Sequence, residues 1–237
     1  MILIDALTFF VAFFIIAFLK VDEGKAKGGL TFSTAVKDLG ETYTFVRNEP
    51  IIFVIILCGA LTNLAFTPLN VTSIIYVQDI LKMGPEGMSL FSACISVGAI
   101  AGGWYMGKKA AKLDLVQTFS VGLIVAGITY FVMGVPAFVA MASWLRIAIP
   151  LDIFVLSFFV SLVNTILSAY LMQSVPETML GRVFGLLSML FMIATPIGSI
   201  LSGTAQFIGV PTLIMLASGL IFLSALFLRR FVKKRKL

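Results

Sequence analysis

Seven apolar stretches, each close to the length a helix needs to cross a bilayer, dominate the sequence. They cover residues 2–19, 51–80, 88–107, 115–135, 150–173, 183–208 and 212–228. A crossing takes about 20 mostly apolar residues. Lipid offers backbone groups no partner, so a crossing segment must satisfy its own hydrogen bonds as a helix. Composition agrees: the 237 residues are 60% apolar and 12% charged, against about 45–50% and about 25% in soluble domains. The sequence predicts an all-α, polytopic membrane protein with seven transmembrane helices. Pro68 lacks a backbone donor and should kink the second span. Gly84-Pro85, Gly134-Val135-Pro136 and Gly209-Val210-Pro211 mark turns between spans. Residues 137–149, apolar but short and holding Trp144 and Arg146, read as an interfacial segment.

Lysine and arginine set the orientation. With the N-terminus outside and the spans alternating, the inner regions hold fifteen of the seventeen basic residues. Only Lys82 and Arg146 lie outside. That asymmetry follows the positive-inside pattern and places the basic tail, residues 229–237, in the cytoplasm. Next to a span, its arginines and lysines are suited to anionic lipid rather than to nucleic acid.

Several function classes are excluded. The chain has no histidine, no nucleotide-binding glycine loop and no metal-ligand spacing. Cys58 and Cys94 lie inside apolar runs and read as small core residues. Neither an enzyme nor a bound cofactor or metal is expected. Ionisable groups within a span are functional candidates, and Asp5, near the outer end of the first span, is the clearest. Asp79, Glu86 and Asp152 fall at outer boundaries and read as solvated.

Residues 20–50 form the long polar stretch. A Gly- and Lys-rich linker precedes Val36, Leu39, Tyr43 and Val46, which recur on one helical face. Ser33 is placed to cap this helix, and Asn48-Glu49-Pro50 to end it. An amphipathic helix beside basic residues belongs on the inner membrane surface.

This layout resembles the major facilitator superfamily from its sixth span onward: a span, a cytoplasmic linker with a surface helix, then six spans. Leu3-Ile4-Asp5-Ala6-Leu7-Thr8-Phe9 is similar to the sixth span of the branch containing bacterial macrolide-efflux and siderophore-export permeases. Val175-Pro176-Glu177 with Gly181-Arg182-Val183-Phe184-Gly185 resembles that branch's loop between spans ten and eleven. In that branch a few residues precede the first string, so the chain is expected to begin inside the span. The organisation implied is 1–19 as helix six, 20–50 as linker, 51–228 as the six-helix C-terminal bundle and 229–237 as tail. In the superfamily's loop motif, Gly107 and Lys112 fit, but Ala111 stands where the acid belongs. Lys108, Lys109 and Lys112 equally well serve topology alone.

Two polar stripes stand out. Asn63 and Asn70 lie on one face of the second span, with Phe66 and Thr67 beside them. Ser157, Ser161, Asn164 and Ser168 follow i, i+4, i+7, i+11 in the fifth. An unbonded amide facing lipid is costly, so both faces look inward, to a neighbouring helix or to a water-filled cavity. By resemblance these spans are the seventh and tenth, which line the family's central cavity. Gly98, Gly102, Gly103 and Gly107, and Ser199 with Gly203, carry the small-xxx-small spacing of close helix packing. The resemblance implies ion-gradient-driven efflux of small amphipathic molecules at a bacterial plasma membrane. The bilayer, the substrate and an N-terminal six-helix half are the expected partners. The competing reading is a transport-incompetent assembly partner or remnant.

Overall fold

The computed structural model of the chain describes residues 2–18, 32–109, 113–138 and 144–235. Among these residues the regular structure is all helical. The helices are α1 (Ile2–Phe18), α2 (Phe32–Asn48), α3 (Pro50–Ile75), α4 (Pro85–Lys109), α5 (Leu115–Gly134), α6 (Leu145–Ser174), α7 (Glu177–Ser202), the single turn α8 (Ala205–Ile208) and α9 (Val210–Arg235). Six segments are long and apolar enough to cross a membrane: Pro50–Ile80, Pro85–Lys109, Leu115–Gly134, Leu145–Ser174, Glu177–Ile208 and Val210–Lys233. They correspond to the last six expected spans. The first forms α1, in which the residues with described side chains form the apolar helix Ala6–Phe18.

The chain divides into two compact units, Met1–Lys37 and Asp38–Leu237. In the first, α1 exposes large side chains all round, including Phe9, Phe13 and Ile16. Its contacts include an edge-on pair of rings, Phe10 and Phe14, 4.9 Å apart. Asp5 is within α1, but its side chain lies outside the described residues.

The second unit is a helical bundle. Its packed pairs are α4 with α6, α6 with α5, α5 with α9, α9 with α3, and α3 with α7. In lipid the hydrophobic effect does not drive helices together; close packing and polar contacts do. The tightest fit is α4 on α6. A Cβ added at Gly98 would sit 2.5 Å from the Phe154 carbonyl oxygen, and one at Gly102 2.5 Å from that of Phe158. Two glycines one turn apart thus let the backbones touch, as their spacing predicts. Gly103 and Gly107 meet no such crowding.

Buried hydroxyls are handled locally. Thr42, Thr67, Thr72 and Ser202 each donate to the carbonyl four residues earlier. Tyr76, fully enclosed, donates to Met133 O at 2.6 Å. The free thiols Cys58, buried, and Cys94, partly buried, sit in α3 and α4.

Three expectations shift in detail. Residues 145–149 are the first turns of α6 and not a separate interfacial segment, because Leu145 and Ile149 bury one face against the bundle and carry the helix through Pro150. Residues 139–143 lie outside the described residues. Helix α2 starts at Phe32, so Ser33 is in its first turn instead of capping it. Of the predicted stripe Val46 alone is buried, with Thr42 packed beside it, while Val36, Leu39 and Tyr43 are exposed. At its far end Glu49 separates α2 from Pro50, the first residue of α3, where a missing donor costs nothing.

Candidate functional site

Helices α3 and α4 do not pack along their length; α4 meets the chain after α3 at the π-helical turn Tyr76–Ile80. Where the two helices separate, a cavity of about 460 Å³ lies between α3, α4, α5 and α6. A second, of about 210 Å³, lies between α3, α5, α6 and α7. Phe66, Val160 and Asn164 line both.

The stripe on α6 contributes three of its four members to the larger cavity: Ser157, Ser161 and Asn164. Ser161 also donates to Ala99 O of α4 at 2.9 Å, so one hydroxyl tightens the α4–α6 seam at the cavity edge. Ser157 packs its Cβ where Gly98 leaves room. Asn164 is exposed, and its carboxamide makes no hydrogen bond among the described residues. Ser168 lines neither cavity.

The stripe on α3 divides differently. Phe66 and Asn70 line the larger cavity. Asn70 is exposed and its carboxamide, like that of Asn164, is unbonded. Asn63 lines the smaller cavity but donates to Phe191 O of α7 at 2.8 Å. Thr67 is buried against Gly198 of α7, where an added Cβ would come within 2.5 Å of its own. It serves packing.

Sequence reasoning missed two parts of this wall. Tyr130 of α5, 2% exposed, stacks on Phe66 with ring centroids 5.0 Å apart and sends its hydroxyl to Phe66 O at 3.4 Å. It closes the cavity behind Phe66. Helix α4 adds Met88, Phe91, Ser92, Ile95 and Ala99. The one signal for α4 was the serine spacing Ser89, Ser92 and Ser96, which points polar groups at a common side.

The wall is thus mostly apolar and aromatic, with two free carboxamides and a few hydroxyls at separate points. Such a surface suits an amphipathic guest. It offers no paired carboxylates and, among the described residues, no group of His, Cys, Asp or Glu able to hold a metal. The family model of the Major Facilitator Superfamily matches residues 1–199. The chain belongs to this superfamily. No curated protein and no solved structure matches it.

The protein is therefore a multi-pass membrane protein and a transmembrane transporter of the facilitator type, from a transporter family and not an enzyme family. The loop residues of this facilitator fare unequally. Arg182, at the start of α7, pairs with Asp38 at 3.1 Å and Glu41 at 3.3 Å, both on α2. Its neighbour Gly181 and the motif-like Gly107 have open space around them. Lys112 lies outside the described residues. Lys108 sits 3.7 Å over the Trp104 ring, a cation–π contact. Of the boundary acids, Asp79 and Glu86 are exposed as expected, and Glu86 accepts from the Gly84 N–H. Asp152 departs from expectation: its Oδ2 is enclosed and finds no donor. It follows Ile149 by three residues and so shares the buried face of α6.

Proposed function

We propose that the chain forms one wall of a secondary active transporter that exports small amphipathic molecules, driven by an ion gradient. Substrate binds in the cavity between α3, α4, α5 and α6, against Phe66 and Tyr130. The carboxamides of Asn70 and Asn164 orient its polar end, with Ser157 and Ser161 beside them. The observation carrying this reading is the pair of unbonded carboxamides, one on α3 and one on α6, in a mostly apolar cavity wall. In lipid each costs free energy unless water or a ligand supplies its partner. Alternating access requires two halves around such a site, so a second six-helix half, N-terminal in the superfamily's order, faces this wall. In this organisation 1–19 is helix six, 20–50 a linker, 51–228 the C-terminal bundle and 229–237 a tail. The likeness of the local strings to macrolide-efflux and siderophore-export permeases supports export. The fifteen-to-two distribution of basic residues supports a cytoplasmic C-terminus, and the likeness to that bacterial branch supports a plasma-membrane protein.

The test is flux of fluorescent amphipathic dyes in proteoliposomes holding this chain alone or together with an N-terminal six-helix half. Gradient-dependent dye movement is expected with both halves. No movement in the paired preparation overturns the transport reading, and movement by the lone chain overturns the need for a second half.

A further inference from the structure

Where α5 starts and α9 ends, a groove of about 310 Å³ opens between the two helices. Val116, Gln117, Ser120 and Val121 line it from α5; Arg229, Val232 and Lys233 line it from α9. It shares no residue with the two cavities above, and the transport reading leaves it unused.

Its chemistry is one-sided. Arg229 and Lys233 are four residues apart and so lie on one face of α9. Both are exposed, and the ion pairs among the described residues are those of Arg182, so neither cation has an acid partner. Ser120 is the telling residue. Of the eight buried serines and threonines among the described residues, seven donate to a carbonyl three or four residues earlier. Ser120, 6% exposed, does not; its hydroxyl is in the groove wall without a hydrogen-bond partner. The Gln117 carboxamide is free as well, while its backbone N–H is held by Asp114 Oδ1 at 2.7 Å. Asp114 does not line the groove. A guanidinium, an ammonium, a hydroxyl and an amide thus converge on a space lined by no carboxylate.

Toward the middle of the spans the same faces turn apolar and outward. Val121 and Ile128 on α5 are 38% and 50% exposed, and Leu226, one turn before Arg229 on α9, is 53% exposed. The lining therefore changes from donors to hydrocarbon along the direction of the helices. That is the profile of a molecule with an anionic head and an acyl tail.

We infer that this groove binds an anionic glycerophospholipid. The phosphate accepts from Arg229, Lys233 and Ser120, and an acyl chain lies along Val121, Ile128 and Leu226. A tetrahedral oxyanion can meet several donors at once, and charge-assisted bonds to arginine and lysine are the stronger kind. The bound lipid ties α5 to α9 at one end of a principal seam of the bundle.

The purified full chain in detergent tests this by native mass spectrometry and by its thermal unfolding midpoint. It is titrated with phosphatidylglycerol, phosphatidylcholine or inorganic phosphate. Phosphatidylglycerol should bind and raise the midpoint, and phosphatidylcholine should do so more weakly. Arg229→Gln and Lys233→Gln should each weaken phosphatidylglycerol binding about tenfold, and Ser120→Ala about threefold. Arg230→Gln removes the same charge next door but outside the groove, and should change binding less than about twofold. Equal losses from Arg229→Gln and Arg230→Gln would reduce the effect to diffuse surface charge and overturn the site. Equal binding of the two lipids overturns the anionic head, and displacement by inorganic phosphate at matched concentration overturns the lipid. Among the described residues Arg229 and Lys233 form no ion pair and the Ser120 hydroxyl no hydrogen bond, so loss of lipid with an unchanged lipid-free midpoint separates binding from stability.

Discussion

The polar stripes of α3 and α6 look alike as sequence and end in different places. On α3, Asn63 is spent on the Phe191 carbonyl of α7, and Thr67 is pressed against Gly198. On α6, Ser161 is spent on the Ala99 carbonyl of α4, and Ser157 fills the gap at Gly98. Each helix keeps one carboxamide free in the cavity wall, Asn70 on α3 and Asn164 on α6. Asn63, Thr67, Ser157 and Ser161 hold helices together. Periodicity identifies which face of a span avoids lipid. Whether a polar group there meets a carbonyl or a cavity depends on the neighbouring helix, and helical spacing carries no information about that.

Four substitutions test this division. The largest effect is expected at the seam that supports the α6 stripe. Gly102→Val places new atoms against the Phe158 carbonyl, where even a Cβ comes within 2.5 Å. Backbone cannot yield as a flexible side chain can, so the cost should be about 3 kcal/mol. The preparation should lose its cooperative thermal transition. A normal transition would mean that the stripe is not held by that seam. Next comes Asn164→Leu, which removes a free carboxamide and leaves no broken bond inside the protein. Dye flux should fall about tenfold, roughly one hydrogen bond to substrate, with the melting temperature unchanged. Loss of stability instead would move Asn164 from the cavity to the packing side of the comparison. Asn63→Leu should do the reverse. It forfeits the 2.8 Å bond to α7, worth about 0.6 kcal/mol on average between membrane helices, and lowers the melting temperature more than the flux.

The fold was largely legible because the constraint is simple. Twenty apolar residues in lipid leave the backbone one solution, and the six longer expected spans are helices. The small-residue spacing at Gly98 and Gly102 pointed to packing for the same reason, since it depends on one helix geometry. Tyr130 could not be found this way. It is the one tyrosine of an apolar span, and its role comes from stacking on Phe66, 64 positions away in the chain. The partners of Arg182 were equally hidden. Asp38 and Glu41 lie far from it in the chain, and only the approach of α2 to the start of α7 brings them within 3.1 and 3.3 Å of it. Asp152 shows the opposite error. Its position near a span boundary argues for solvation, yet the buried face of α6 extends to it, and one carboxylate oxygen is enclosed without a donor.

The smallest effect should be the most discriminating. Ser168 continues the α6 stripe at the expected spacing, but it lines neither cavity. If placement decides function, Ser168→Ala should leave dye flux unchanged and shift stability by less than about 0.5 kcal/mol, as a substitution away from special features does. If periodicity itself marks the substrate path, flux should fall as it does for Asn164→Leu, since both residues lie on the same face. The two substitutions, compared in one preparation, separate a cavity from a stripe. A loss at Ser168 would require the site to extend along α6 beyond the present wall, as happens when a helix shifts during alternating access.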